Sequence, residues 1–477
     1  SIIEYKIKTK QGSYGVIPDF AFQYSIPVNV VEYQWIVPEY FTYNTYMSGY
    51  VPITKSVPER RRGPNNMYSE VVTIYKGKDV PAIKDEDYVS NIRNYMSILK
   101  MELSMVKIPN QMVETISVDW PSLISAIYAH KDFGPELKLK NYFEQDVTPL
   151  LAGAVSNTDR INIIFKYVQE RMKWDEYNGY LCDKGVKKAY NEKSGNTAEI
   201  NLMLVAMLRN AGLSANPVLV STRANGIALY PNHSAYNYVI AAVENDNKIT
   251  LLDATSKYTV PGVLPRRAIN WVGRMIRPDG SSAEVELTPK AAAKEAISVS
   301  AALDASGKVT GKMREQYYDN FAHSFRESFA EVSKESYLEG LEKQFSGIAI
   351  NDYKAENTKD LSKPVMEEYS FEHASVADVV GDKIFFNPLL FLADDENPFK
   401  QEKREYPVDF TYPRQVRYNV SITIPEGYTV ESLPKPAVIK MEDEIGTFKY
   451  NLQTAGKQLQ LIAIYEINHA MVPQSYY

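Results

Sequence analysis

The sequence predicts a multidomain α+β protein in which a core of helices and strands lies between two β-rich units. Three observations lead there. At 477 residues the chain is too long for one ordinary domain and points to two to four. Its pattern is stranded at first, turns helical in the middle and alternates again towards the end. Within the middle region the helices precede the strands, the order expected of an α+β domain. The units are placed at 1–124, 125–290 and 291–477.

In the first unit YKIKTK alternates, and YSIPVNVVEYQWIVPEY and SEVVTIYKG are β-branched and aromatic runs broken by Pro and Gly, which suits an antiparallel sandwich. DYVSNIRNYMSILKMELSMV reads as a short helix leading into a strand. The opening SIIEYKIKTK looks like the middle of a strand, so the numbered chain is expected to be a fragment or a processed form, truncated at its start.

The middle unit begins with DWPSLISAIYAHKDF and NTDRINIIFKYVQERMKW, both apolar at helical spacing. In the second, Ile161, Ile164, Phe165, Val168 and Met172 share a face, and Asn157 or Thr158 suits its start. The next helix carries a stripe of Ile200, Met203, Leu204, Met207, Leu208 and Ala211, ending at Gly212. Asn196 and Glu199 have the spacing of a reciprocal capping pair. Strands are expected at NPVLVSTR, AYNYVIAAVEND and KITLLDAT, with a turn at Asn245 to Asn247 between the last two.

In the third unit ISVSAALDASGKVTGKM is a hairpin turning at Ala305 to Gly307. DNFAHSFRESFAEVSKESYLEGLEKQF reads as one long amphipathic helix. Sandwich-like strands follow in YPVDFTYPRQVRYNVSITIPEGYTVESLPKP, and Leu459, Leu461, Ala463, Tyr465 and Ile467 share a strand face.

A net charge of -6 disfavours nucleic acid as a partner. The one basic run, Arg60 to Arg62 between Pro58 and Pro64, reads as a solvated loop. No apolar segment reaches membrane-spanning length, and no signal peptide is visible. Cys182 is the single cysteine, which excludes an intrachain disulfide, and it lacks an obvious activating partner. His130, His233, His323, His373 and His469 show no metal-ligand spacing, so neither a zinc site nor any other cofactor is expected.

Taken together, GNTAEINLMLVAMLRNAGLSANPVLVSTR, YNYVIAAV and LLDATSKY resemble the transglutaminase-like, papain-related core. The resemblance implies a Cys at a helix start, a His on the next strand and an Asp on the strand after it. Helix-end charge and imidazolium favour a thiolate, while the carboxylate holds the imidazole in its useful tautomer. The flanks look like the β-rich domains of unknown function that bracket this core in bacterial envelope proteins. That implies a periplasmic or cell-surface location.

Carried over by the resemblance, the nucleophile position falls on Thr197, the base position on Tyr238 and the acid position on Asp253. Only the aspartate matches. A threonine at a helix start is well explained as a capping or first-turn residue, and a phenol is a poor base near neutrality. Asp253 could instead accept a hydrogen bond from Tyr238. The expectation is therefore a catalytically degenerate binding or scaffolding module for an extended peptide, a protein or a glycan. Its candidate cleft comprises Trp174, Asn196, Thr197, Tyr236, Tyr238 and Asp253, with Trp174 equally readable as a core residue. The rival is an acyl-transfer enzyme using Thr197, or Cys182 brought in by a different chain path. His233 is expected to face away from Tyr238. A purely structural β-domain protein, with no cleft near Asp253, is the third class.

Overall fold

The computed structural model describes residues 2–15, 17–116, 119–232, 234–245, 248–345, 347–394 and 396–477. At its centre is the Thr197–Asn210 helix. Asn196 accepts from the Glu199 amide while Glu199 accepts from the Asn196 amide, so the capping pair forms. The expected apolar stripe understates this helix, because every residue from Thr197 to Leu208 is buried. It is enclosed on all sides, and its polar members Glu199 and Asn201 are buried because each finds partners.

Against it pack the Asn157–Arg171 and Val186–Glu192 helices and an antiparallel five-stranded sheet. The first of these buries Ile161, Ile164, Phe165, Val168 and Met172 as its spacing predicts. Its cap is Ser156, paired with Asp159, one residue ahead of the expected Asn157 and two ahead of Thr158. The sheet runs in the order Lys248–Leu252, Tyr238–Asn245, Ser214–Val220, Val272–Ile276, Ser282–Glu286. The expected turn at Asn245 to Asn247 falls partly outside the described residues. The Trp120–Ala129 helix lies across the expected boundary at 124, and its Leu123, Ile124 and Ile127 belong to the central core.

The N-terminal unit is a pair of four-stranded sheets sharing a core of Phe22, Val31, Tyr75, Val80, Leu99 and Met101. The opening segment is not a strand. Ile3, Tyr5 and Ile7 alternate correctly but are 78%, 68% and 75% exposed, and residues 2–10 pair with no strand among the described residues. Alternation without a partner ladder does not make a strand. The expected helix before Ile98 is a single turn, Ile92–Asn94. The arginine run is an exposed edge strand, Glu59–Arg62, rather than a loop, with Arg61 paired to Glu70 at 2.8 Å. Charge on such an edge discourages further pairing.

The C-terminal unit is built on an eight-stranded sheet whose middle join, Ala293–Leu303 with Arg414–Thr423, is parallel. The alternating pattern does not reveal that direction. The single long helix expected here is broken into Asp319–Ala330 and Lys334–Gln344. Ser333 restarts it by accepting from the Ser336 amide at 3.1 Å, a local bond that competes with helix continuation. No helix among the described residues is long and apolar enough to cross a membrane.

Candidate functional site

Thr197 lies at the first position of the central helix and is fully buried. Its amide and its hydroxyl both donate to the Tyr177 carbonyl, each at 3.2 Å. The Trp174 indole N–H donates to the same oxygen at 3.1 Å. Three donors thus converge on one carbonyl supplied by the 175–178 loop. A helix-start amide beside an indole N–H is an arrangement suited to a developing oxyanion. Here the protein's own backbone oxygen fills it.

Glu199 fixes the loop that leads into this turn. Its Oε1 accepts from the amides of Asp183, Lys184 and Gly185 at 3.1, 2.6 and 3.1 Å, and its Oε2 accepts from Asn196 at 2.8 Å. Asn196 Nδ2 adds a bond to the Leu181 carbonyl. Gly195 is required by close packing, since a Cβ there would lie 2.7 Å from Glu199 Oε2.

Tyr238 and Asp253, both fully buried, belong to a second network. The Tyr238 hydroxyl donates to Asp253 Oδ2 at 2.8 Å and accepts from Arg267 Nε at 3.0 Å. Thr255 donates its hydroxyl to Asp253 Oδ1 at 2.7 Å and accepts from Arg267 at 2.6 Å. Asn201 Nδ2 and the Thr255 amide complete Oδ1, each at 3.0 Å. Burial, then the neighbouring Asp253, push the phenol far above its ordinary value. It stays neutral and cannot serve as a base.

The six residues expected to line one cleft therefore separate. Trp174, Asn196 and Thr197 gather about the helix start, and Tyr238 and Asp253 join through Arg267, Thr255 and Asn201. Tyr236 sits apart against Trp120, with ring centroids 5.8 Å apart. Arg267 links the first two groups: its guanidinium lies 4.2 Å from the Trp174 ring and 5.7 Å from that of Tyr238. Among the described residues the Thr197 hydroxyl reaches neither Tyr238 nor Asp253. Five of the six are buried and Trp174 is half-buried.

Cys182 is buried, and its thiol is pushed up by burial first and then by Glu136, Glu199 and Asp132. Carboxylates surround it where activation would need a cation. His233 lies outside the described residues.

The Tyr238 face of the sheet is covered by the C-terminal unit. Tyr238, Val218, Ile240 and Ile269 form one core with Ala293 and Tyr412, and Phe321 packs against it. Nearby, Ser256 donates to Glu327 at 2.9 Å and lies 3.3 Å from His323 Nε2 on the Asp319–Ala330 helix. Both Ser256 and Glu327 meet the same side of that imidazole. A hydrolytic triad needs the acid on the other nitrogen; this set instead ties two units together.

Sequence reasoning missed Tyr177, Asn201, Thr255 and Arg267. Thr255 had a signal, an Asp-x-Thr spacing that favours a local side-chain turn. Asn201 had another, a polar residue one turn after Thr197 inside an apolar helix. Arg267 and the Tyr177 carbonyl come from loops and left none.

Residues 145–248 match the model of the transglutaminase-like superfamily, and residues 382–477 match a domain of unknown function with a solved structure (DUF3858). No curated protein matches the chain. A crystal structure of a candidate protease from Parabacteroides distasonis aligns over 98% of this chain and 72% of its own, with a TM-score of 0.53 and 16% identity. A candidate cysteine protease from Cytophaga hutchinsonii aligns over 56% of this chain and 86% of its own at a TM-score of 0.21 and 10% identity, too low to argue from. At that identity the first likeness is one of fold alone. The transglutaminase-like match thus lies within the middle of the chain, at residues 145–248.

Proposed function

We propose that this chain, built around a transglutaminase-like domain, is a non-catalytic scaffold that holds two β-rich flanks in fixed positions for a polypeptide or glycan partner. The observation that carries the reading is the burial of Tyr238 in a core shared with the C-terminal unit. The face that would hold a catalytic base is an interdomain contact. The filled donor trio at Tyr177 and the raised Cys182 thiol point the same way.

Further links support fixed flanks. Arg223, beyond the central sheet, pairs with Asp409 of the C-terminal unit at 2.9 Å, and Asn91 of the N-terminal unit donates to the Arg223 carbonyl at 3.0 Å. Tyr46 stacks on Tyr230 with centroids 4.4 Å apart. Glu86 and Arg404, both almost wholly buried, join the outer units directly at 3.4 Å. Scaffolding needs such rigid joins, whereas a working cleft needs access.

Iodoacetamide labelling of the native protein tests the reading. Cys182 should label slowly from pH 6 to 8 and fully once urea unfolds the chain. Rapid labelling of the folded protein below pH 7 would identify a reactive thiol and overturn it.

A further inference from the structure

In the C-terminal sheet Glu315 stands directly opposite Glu367 on the neighbouring antiparallel strand. Both are buried, at 7% and 1% exposure. Like charges in register across a ladder repel, so this pair needs explanation. Tyrosines supply part of it: Glu367 accepts from Tyr353 at 2.5 Å, from Tyr317 at 2.8 Å and from Tyr337 at 3.0 Å. Tyr317 also contacts the Glu315 carboxyl. A phenol has one hydrogen and can donate to only one of the two. The other contact is a hydrogen bond only if a carboxylic acid donates to the phenol oxygen. The geometry therefore holds a proton on this pair.

The cover over the pair is thin. Tyr337 comes from the Lys334–Gln344 helix, which has no fully buried residue and rests on the sheet through half-buried Leu338 and Leu341. We propose that this helix is a proton-dependent latch: the proton shared by Glu315 and Glu367 through Tyr317 keeps it closed, and losing that proton lifts it. Two adjacent buried carboxylates need water, and water enters most cheaply by displacing the least buried element above them.

The remaining charged and titratable neighbours do not neutralise a second carboxylate. The sheet adds Glu295, Tyr369, Tyr418 and Arg414, whose Nε lacks a partner among the described residues and whose Nη2 donates to the Phe410 carbonyl. The outer helix adds Lys334, committed to the Tyr353 carbonyl at 3.1 Å. The Asp319–Ala330 helix presents the rings of Phe325 and Phe329. Burial first, then Glu367 and Glu295, push Glu315 up to about 8, and burial then Glu367 push Glu295 up to about 7. Folded-state values above the ordinary carboxylate range mean that the stabilisation is complete in acid. It is lost as pH rises through about 7 to 8.

Hydrogen exchange of the full chain at pH 5.5 and 8.5, corrected for intrinsic rates, tests the latch. Protection of the Lys334–Gln344 amides should fall roughly tenfold or more at the higher pH, while the Thr197–Asn210 helix is unchanged. Glu315→Gln keeps a donor for the Tyr317 oxygen and should remove most of the fall, leaving the helix well protected at both pH values. Tyr337→Phe should lower its protection at both. An unaltered pH response in Glu315→Gln, no response in the wild type, equal loss in the central helix, or unchanged protection in Tyr337→Phe would each overturn the proposal.

Discussion

Two buried tyrosine–carboxylate networks occur in this molecule, and they differ in charge balance. Around Asp253 one carboxylate accepts from two hydroxyls, which in turn accept from one guanidinium, Arg267. Around Glu367 three glutamates share one arginine that is turned largely elsewhere. The first network is complete as ions and neutral phenol, so it needs no exchangeable proton. The second is complete only with one. Equal burial and similar residue types thus give a permanent join in one place and a pH-sensitive one in another.

The sharpest way to break the contrast is to remove the cation from the balanced network. Arg267→Met removes the donor to the Tyr238 and Thr255 hydroxyls and the cation near Asp253, and should cost about 2–3 kcal/mol, read from the urea midpoint at pH 7. Next in size is the pH response of the other network. Wild-type stability should fall by about 1–3 kcal/mol between pH 5 and 8.5, and Glu315→Gln should flatten that slope. Smaller effects should come from the helix ends that position these groups. Asn196→Ala removes the side-chain cap of the central helix and should cost about 1 kcal/mol in thermal or urea unfolding. Smallest is Lys257→Met, which loses an ammonium from the Gln169 and Met172 carbonyls at the end of the Asn157–Arg171 helix, about 0.5–1 kcal/mol.

Legibility in the sequence followed how local each cause was. The Asn196–Glu199 cap, the buried face from Ile161 to Met172 and the turn after Leu303 depend on neighbours a few residues apart, and the sequence shows them. The Tyr238–Asp253 bond was also readable, because both positions were placed by the resemblance to a known core. What stayed hidden depends on contacts between distant segments. The Tyr177 carbonyl at the helix start and Arg267 between Trp174 and Tyr238 are examples, as is the parallel join of the C-terminal sheet. The break at Ser333 was local and still missed, since the apolar spacing on either side of it continues in phase. The separation of the expected cleft into three places has the same origin: periodicity shows which residues are buried, not which core takes them.

A turnover assay decides whether the chain is catalytic. Purified protein is incubated with casein and a fluorescent primary amine, and both peptide release and amine incorporation are followed for the wild type and for Thr197→Val, Cys182→Ser and Tyr238→Phe. Wild-type rates should equal those of buffer and of all three variants. Turnover that any one of these substitutions abolishes would contradict a non-catalytic role.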